Sequence, residues 1–340
     1  MERPKRQVIR TVEMHTGGEP LRIIHSGYPS IEGGTLLEKR RYVREKLDHL
    51  RTMLMREPRG HFDMYGALVV ESDLPEADLA VLFMHNEGYS TMCGHGVIGL
   101  GRYAVDYNLV KPVSPETLVR IQCPCGLVTA HVEYREGVSG AVRFESVPAF
   151  AFLTNQKIDV DGYGCVEYDI GYGGAFYALA DVAQFGLDLG KSPIQDIIAA
   201  GSGLTEAVRR SVPLSHPESP DLAFLYGAIL TDGRDEYCNE PTANICIFAD
   251  CQVDRSPTGS GVTARIATQY HKRQIKLGEK RWFSQSKVGS LFSGLALRES
   301  PYGPYKDAVV VEVSGKANYT GECSFWCEEG DGLAAGFLLK

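Results

Sequence analysis

Cys93-Gly94-His95-Gly96-Val97 recurs 165 positions on as Thr258-Gly259-Ser260-Gly261-Val262. Each copy opens a stretch with helical apolar spacing, so each reads as a glycine-rich loop running into a helix start, where free amides and the helix dipole favour an anion. The match continues outward. Gly17-Gly18 is echoed by Gly173-Gly174, Tyr65-Gly66-Ala67-Leu68 by Tyr226-Gly227-Ala228-Ile229, and Cys125-Gly126-Leu127-Val128 by Val288-Gly289-Ser290-Leu291. Four ordered matches at offsets of 156 to 165, close to half of 340 residues, indicate two copies of one domain.

Each copy is expected to run strand-rich, then glycine loop and helix, then strands again, an α/β (α+β) architecture. Alternating or β-branched runs place strands at residues 8–12, 67–70 and 309–313, and helical spacing places helices at 37–54, 96–107, 194–200 and 262–275. The expected boundaries give a first domain of residues 1–152 plus about 327–340, holding Cys93, and a second of 153–326, holding Thr258. A pseudo-twofold pair sets equivalent loops on either side of an interdomain cleft, a common place for small-molecule sites.

Composition narrows the partners. The chain is 44% hydrophobic with a net charge of −8, and Lys39-Arg40-Arg41 is its only basic cluster, so neither nucleic acid nor an anionic membrane is an expected partner. No run approaches the roughly 20 apolar residues of a membrane span, and Met1-Glu2-Arg3-Pro4-Lys5-Arg6 leads into a polar strand rather than an apolar signal core. A cytoplasmic location is expected. Nine scattered cysteines, an odd number, read as reduced thiols rather than a disulfide framework. Cys123-Pro124-Cys125 and the Cys323, Cys327 pair lack zinc-finger spacing, and no H-E-x-x-H occurs, so no metal is expected. Gly94 to Gly99 formally matches G-x-G-x-x-G. A dinucleotide site needs a strand ending at the first glycine, whereas the apolar run 79–84 stops about ten residues earlier and the second copy lacks the third glycine.

Cys93 sits just ahead of a helix, where dipole and amides stabilise a thiolate and could make it a general base. For the other eight cysteines the ordinary reading, a small buried hydrophobe, is preferred. Thr258 holds the matching position, but an alcohol is no resting base at neutral pH; it donates a hydrogen bond, orients water or simply caps its helix. Asp254, four residues earlier, could hold a substrate ammonium or be an ordinary turn residue. His95 lies close enough to bond substrate or thiolate. His15-Thr16-Gly17-Gly18-Glu19-Pro20 and His85-Asn86-Glu87 are polar clusters at strand ends and weaker candidates for the cleft.

Met92-Cys93-Gly94-His95-Gly96, Asp254-Arg255-Ser256-Pro257-Thr258-Gly259-Ser260-Gly261 and Met14-His15-Thr16-Gly17-Gly18-Glu19-Pro20 together resemble the proline racemase family over essentially the whole chain. The resemblance implies the diaminopimelate-epimerase-like fold, two pseudo-symmetric domains with β-sheets wrapped around a central helix and a cofactor-free site in the cleft between them. Racemases and epimerases of that family carry cysteine in both motifs; Thr258 departs from this pattern and resembles the branch that dehydrates trans-3-hydroxy-L-proline. Carried over by motif position, Cys93 is the proton acceptor, Thr258 the second half-site that positions a hydroxyl or water, Gly94, His95, Gly259 and Ser260 bind the substrate, and Asp254 holds the ring nitrogen. The implied reaction gives Δ1-pyrroline-2-carboxylate from a small imino acid; the expected assembly is a homodimer. Two other readings are a proline or hydroxyproline racemase or epimerase and a non-catalytic amino-acid binder. The segment 40–61 is also familiar in that branch and receives no chemistry from the sequence.

Overall fold

The computed structural model describes residues 7–249 and 251–339, so the stretch from Met1 to Arg6 lies outside it. Among the described residues are five α-helices: α1 (Leu36–Lys46), α2 (Asp48–Met55), α3 (Gly94–Asp106), α4 (Ile194–Ser211) and α5 (Gly259–His271). Eighteen strands form one hydrogen-bonded network. None of the helices is long and apolar enough to cross a membrane.

The same series of strand pairings occurs twice. A hairpin, Ile9–Thr16 with Glu19–Ser26, is followed by the parallel strand Tyr65–Val70 and the antiparallel strand Leu79–His85. The chain then passes through α3, returns parallel to Leu79–His85 as Glu116–Cys123, and continues antiparallel through Gly126–Arg135 and Val138–Glu145. The second series runs Gly164–Tyr172, Phe176–Asp181, Leu225–Thr231, Thr242–Phe248, then α5, Arg281–Gln285, Leu291–Glu299 and Val309–Gly315, with each pairing in the same sense. The two series join where Val142–Glu145 pairs antiparallel with Glu312–Gly315, equivalent strands meeting each other.

Each series also takes a strand that follows the end of the other. Phe150–Val160 pairs with Gly164–Tyr172, and Ala317–Phe325 pairs with Ile9–Thr16. The return of the chain to the first sheet therefore starts at Ala317, ahead of residue 327, and continues past it: the Phe337 N–H donates to the Glu57 carbonyl at 3.0 Å.

Eleven of the thirteen residues of α3, and eleven of thirteen of α5, are buried. A helix apolar or small on all faces belongs in a core rather than on a surface, and each of these two is enclosed by its own set of strands. The expected single helix over 37–54 is two, broken at Leu47, which ends α1 and precedes α2. Together they cover the outer face of the first sheet through Leu36, Val43, Leu50 and Leu54 against Ile24, Leu82 and Met84. α4 runs well past residue 200, through Gly201, where a Cβ would lie 2.5 Å from the Ile247 side chain, so glycine there marks close packing on a strand and not a helix end. α5 ends at His271 rather than 275 because Arg273 turns the chain with φ of 60°.

The two central helices touch at their first residues. A Cβ on Gly94 would stand 2.5 Å from the Gly259 Cα, and one on Gly259 would stand 2.7 Å from the Gly94 Cα. Gly94→Ala or Gly259→Ala should each lower the unfolding free energy by about 1–3 kcal/mol through forced overpacking. Gly321→Ala, which meets nothing within 4 Å, serves as the control. Chemical-denaturation midpoints measure the difference, and control-like midpoints for the first two would contradict the contact.

Candidate active site

Cys93 is the N-cap of α3, with extended backbone (φ −148°, ψ 104°), and its Sγ accepts the Gly96 N–H at 3.1 Å. Sulfur here takes the part usually played by a serine, threonine or aspartate oxygen. Gly96 must be glycine because a Cβ would lie 2.8 Å from that sulfur. A ring nitrogen of His95 is 3.3 Å from Sγ, and the ring meets Tyr65 edge-on with centroids 4.8 Å apart. The Thr16 hydroxyl donates to the His95 carbonyl at 2.9 Å, tying the loop to the first hairpin.

Thr258 occupies the equivalent place before α5 with a different backbone, φ 64° and ψ 90°. That region is unfavourable for a β-branched side chain and is held only where surroundings enforce it. The enforcement is visible in the loop. Asp254 Oδ1 accepts the Ser256 N–H at 2.7 Å, Ser256 Oγ accepts the Thr258 N–H at 3.1 Å, and the Asn244 side chain donates to the Pro257 carbonyl at 3.0 Å. The helix cap that a threonine would ordinarily provide is not made. Its hydroxyl bonds none of the α5 amides and is buried facing the Asp254 carboxyl and the Cys246 thiol, where it favours their ionised forms. The half-sites thus differ in conformation as well as in chemistry.

Cys93, Gly94 and His95 from one helix start, and Asp254, Thr258, Gly259 and Ser260 from the other, line one narrow cavity. The remaining walls are Tyr65, Met92, Tyr177, Tyr226, Cys246 and Phe248. Every one of these residues is buried. Backbone amides at two helix starts make one end of the cavity attractive to a carboxylate, and Asp254 gives it an anionic group for an ammonium.

Burial dominates the electrostatics. It pushes the Cys93 thiol well above its ordinary value, and the carboxylates of Asp254 and Glu19 act in the same direction, against the Gly96 N–H and the Tyr65 hydroxyl. The helix start therefore does not produce the resting thiolate expected from the sequence; withdrawal from water outweighs it. Asp254 is lifted by burial to about 6, which leaves it mostly ionised at neutral pH. Burial lowers His95 to about 3, so it serves as a neutral hydrogen-bonding group.

Several wall residues carried no functional reading in the sequence. Tyr65 and Tyr226 are equivalent members of the repeated Tyr-Gly-Ala motif, and that equivalence was the available signal. The Tyr65 hydroxyl is 2.5 Å from Ser90 Oγ, Tyr177 shares a hydrogen bond with Ser260 at 2.6 Å, and Tyr226 stacks on Phe248. Cys246 is a second thiol in the cavity, on the strand Thr242–Phe248, and no spacing marks it out from the other cysteines. Not all of those are buried, Cys165 being exposed, and among the described residues no disulfide joins any of the nine. Of the weaker candidates, His15 accepts the Gly18 N–H within its own turn, and the His85 ring packs behind Tyr65, Tyr226 and Phe248.

Residues 11–338 match the family model described as proline racemase. The chain is 61% identical over 327 residues to a trans-L-3-hydroxyproline dehydratase of Saccoglossus kowalevskii, covering 96% of this chain and all of that one. It is 58% identical to the human trans-3-hydroxy-L-proline dehydratase, covering 99% of this chain and 96% of that one. In three dimensions it superposes on a hydroxyproline epimerase from Agrobacterium vitis, solved with bound trans-4-hydroxy-L-proline, with a TM-score of 0.92 at 25% identity, over 99% of this chain and 97% of that one.

Because the thiolate is the reactive form and Cys93 is both enclosed and held protonated, iodoacetamide at neutral pH should label Cys165 at least about tenfold faster than Cys93. Peptide mass mapping over time gives the two rates, and the reverse order would contradict the closed, protonated site.

Proposed function

The chain belongs to the proline racemase family, and on that premise we propose that it removes water from trans-3-hydroxy-L-proline to give Δ1-pyrroline-2-carboxylate, with Cys93 as the proton acceptor and no cofactor. It is a hydro-lyase on this reading, acting on a small imino acid. The observation that carries it is the inequality of the half-sites: a thiol with a histidine nitrogen beside it at one helix start, and at the other a threonine in the cysteine's place.

The stereochemistry suits one acid-base group. In trans-3-hydroxy-L-proline the hydroxyl lies opposite the carboxylate and hence on the same ring face as the Cα hydrogen, so loss of water is a syn elimination. The Cys93 thiolate takes the Cα proton, the electron pair forms the Cα–C3 double bond, and the C3–O bond breaks. The thiol just formed returns the proton to the departing hydroxide as water. The enamine then tautomerises to the cyclic imine. A second thiol on the opposite face has no step to perform, and Thr258 positions a hydroxyl or water there.

Carbanion character next to a carboxylate is the main barrier. The carboxylate placed over Gly94, His95, Gly259 and Ser260 meets two helix starts, each worth up to about 2 kcal/mol when partly buried, and donors fixed in advance gain value as charge develops. Asp254 takes the ring ammonium. That ammonium also supplies the positive charge beside Cys93 that burial otherwise denies to the thiolate.

The match to a hydroxyproline epimerase fold supports a second reading, inversion at Cα with water held by Thr258 as the second acid. Incubation with trans-3-hydroxy-L-proline, trans-4-hydroxy-L-proline and L-proline, followed by o-aminobenzaldehyde detection of pyrroline and chiral chromatography, separates the two. Pyrroline from the first substrate alone is expected; inversion without pyrroline would establish the epimerase instead. Cys93→Ser should lower turnover by about 10²–10⁴-fold, the usual worth of a positioned proton-transfer group. Full activity in that variant would overturn the mechanism, and ligand binding without turnover in the wild type would leave only a binding protein. Thr258→Cys should permit Cα exchange with solvent from both faces.

The pH dependence of kcat, which reports the closed complex, is set by two groups that burial shifts there. Asp254 must be ionised, so activity falls as pH drops through about 6. Cys93 must lose its proton, and because its value is raised, activity keeps climbing through neutrality into the alkaline range. A profile level between about pH 6.5 and 9 would contradict the assignment of Cys93 as base.

A further inference from the structure

Glu19 opens the strand Glu19–Ser26, is fully buried, and belongs to the His15 to Pro20 cluster, which takes no part in the elimination. Its Oε2 accepts the Arg255 backbone N–H at 2.6 Å across the junction between the halves, while Oε1 is buried with no partner. Glu19 is not alone in gripping this loop. Asp63 Oδ1 accepts the Val253 N–H at 3.1 Å, and Asn86 Oδ1 accepts from the Gln252 side chain at 2.9 Å. The Arg255 guanidinium completes the cluster, 3.2 Å from Asp63 and 3.9 Å from Glu19.

Behind these acceptors stands the segment 40–61. Asn86 donates to the carbonyls of Met55 and His61, and buried Arg51 donates to the carbonyls of His85 and Asn86. Three side chains of the first strand series thus hold residues 252, 253 and 255 of the second, the residues that flank Asp254. These bonds cross from one strand series to the other beside the cavity.

We propose that Glu19 is the positioning residue of the second half-site: its bond to the Arg255 N–H forms as the halves close on substrate and sets Asp254 and the Thr258 loop against Cys93. This rests on reading the cavity as the imino acid site. Closing transfers the Glu19 carboxyl from water to a site where burial, then the charge of Asp254 and that of Asp63, raise its proton affinity well above the ordinary range, against the Arg255 amide and guanidinium. A group bound more tightly to its proton in the closed form makes closure take up a proton. The closed complex is accordingly favoured at lower pH and weakened as pH rises through the closed-state value.

Kinetics on trans-3-hydroxy-L-proline and direct binding of pyrrole-2-carboxylate, a planar mimic of the deprotonated ring, test this in wild type, Glu19→Ala and Glu19→Gln between pH 6 and 9. Glu19→Ala should raise KM and the pyrrole-2-carboxylate Kd about tenfold or more, with kcat lowered less, the loss of a buried hydrogen bond that leaves the Arg255 N–H unpaired appearing in closure. Glu19→Gln retains an oxygen for the Arg255 N–H, so its KM at neutral pH should stay near wild type while the rise of KM with pH flattens. A folded Glu19→Ala with wild-type KM and Kd would overturn the proposal. So would a Glu19→Gln whose KM follows the wild-type pH dependence, and that variant decides the matter if Glu19→Ala does not fold. Absence of turnover in the wild type would instead refute the substrate reading, leaving the pyrrole-2-carboxylate arm to judge Glu19 by itself.

Discussion

At the junction of the halves, the N-termini of α3 and α5 approach so closely that neither Gly94 nor Gly259 has room for a methyl group. That contact fixes where everything else can be. Residues immediately before each glycine, Cys93 and Thr258, are brought to the two sides of one cavity, and the amides after them point at the same place. Two helix dipoles placed positive end to positive end repel each other in the empty site, and an anion between them relieves the repulsion. The fold therefore has a built-in preference for a carboxylate at its centre, independent of the reaction carried out there.

The proposed reaction depends on the departure from symmetry. The strand pairings repeat step for step, yet Cys93 caps its helix from an extended backbone, while Thr258 is held at positive φ and leaves its own helix uncapped. A hydroxyl turned away from the amides is free to hold a group on the substrate's second face, but it cannot become an anion there. Burial keeps even the thiol protonated until a positive charge arrives. On the proposed mechanism, base strength is thereby coupled to occupancy: the substrate's own ammonium helps ionise the group that attacks it.

Much of the architecture was legible in the sequence because duplication leaves a trace that survives divergence at most positions. Glycines and the Tyr-Gly-Ala motif mark where backbones approach or strands begin, and these constraints are local. The residues around the cleft that escaped are of another kind. Cys246 and Phe248 reach the cavity through strand register, Tyr177 through a hydrogen bond to Ser260 at the start of α5, and the bond from Glu19 to a loop 236 residues away is of the same kind. None of these relations has a spacing. The proton affinity of Cys93 was misjudged for a related reason: the helix start is visible in the sequence, but the completeness of burial that outweighs it is a property of the closed fold. The break at Leu47 and the continuation of α4 through Gly201 likewise turn on packing against neighbours distant in the chain.

The strand Ala317–Phe325 lies along Ile9–Thr16, so the first sheet is bordered by residues made only after the whole second series. On a ribosome, the Cys93 half emerges with that edge unpaired and must keep it so while the whole second half is translated. Exposed strand edges invite pairing with other chains. Such a protein carries its greatest hazard before it is finished, and its dependence on chaperones during translation should exceed what the compactness of the mature fold suggests.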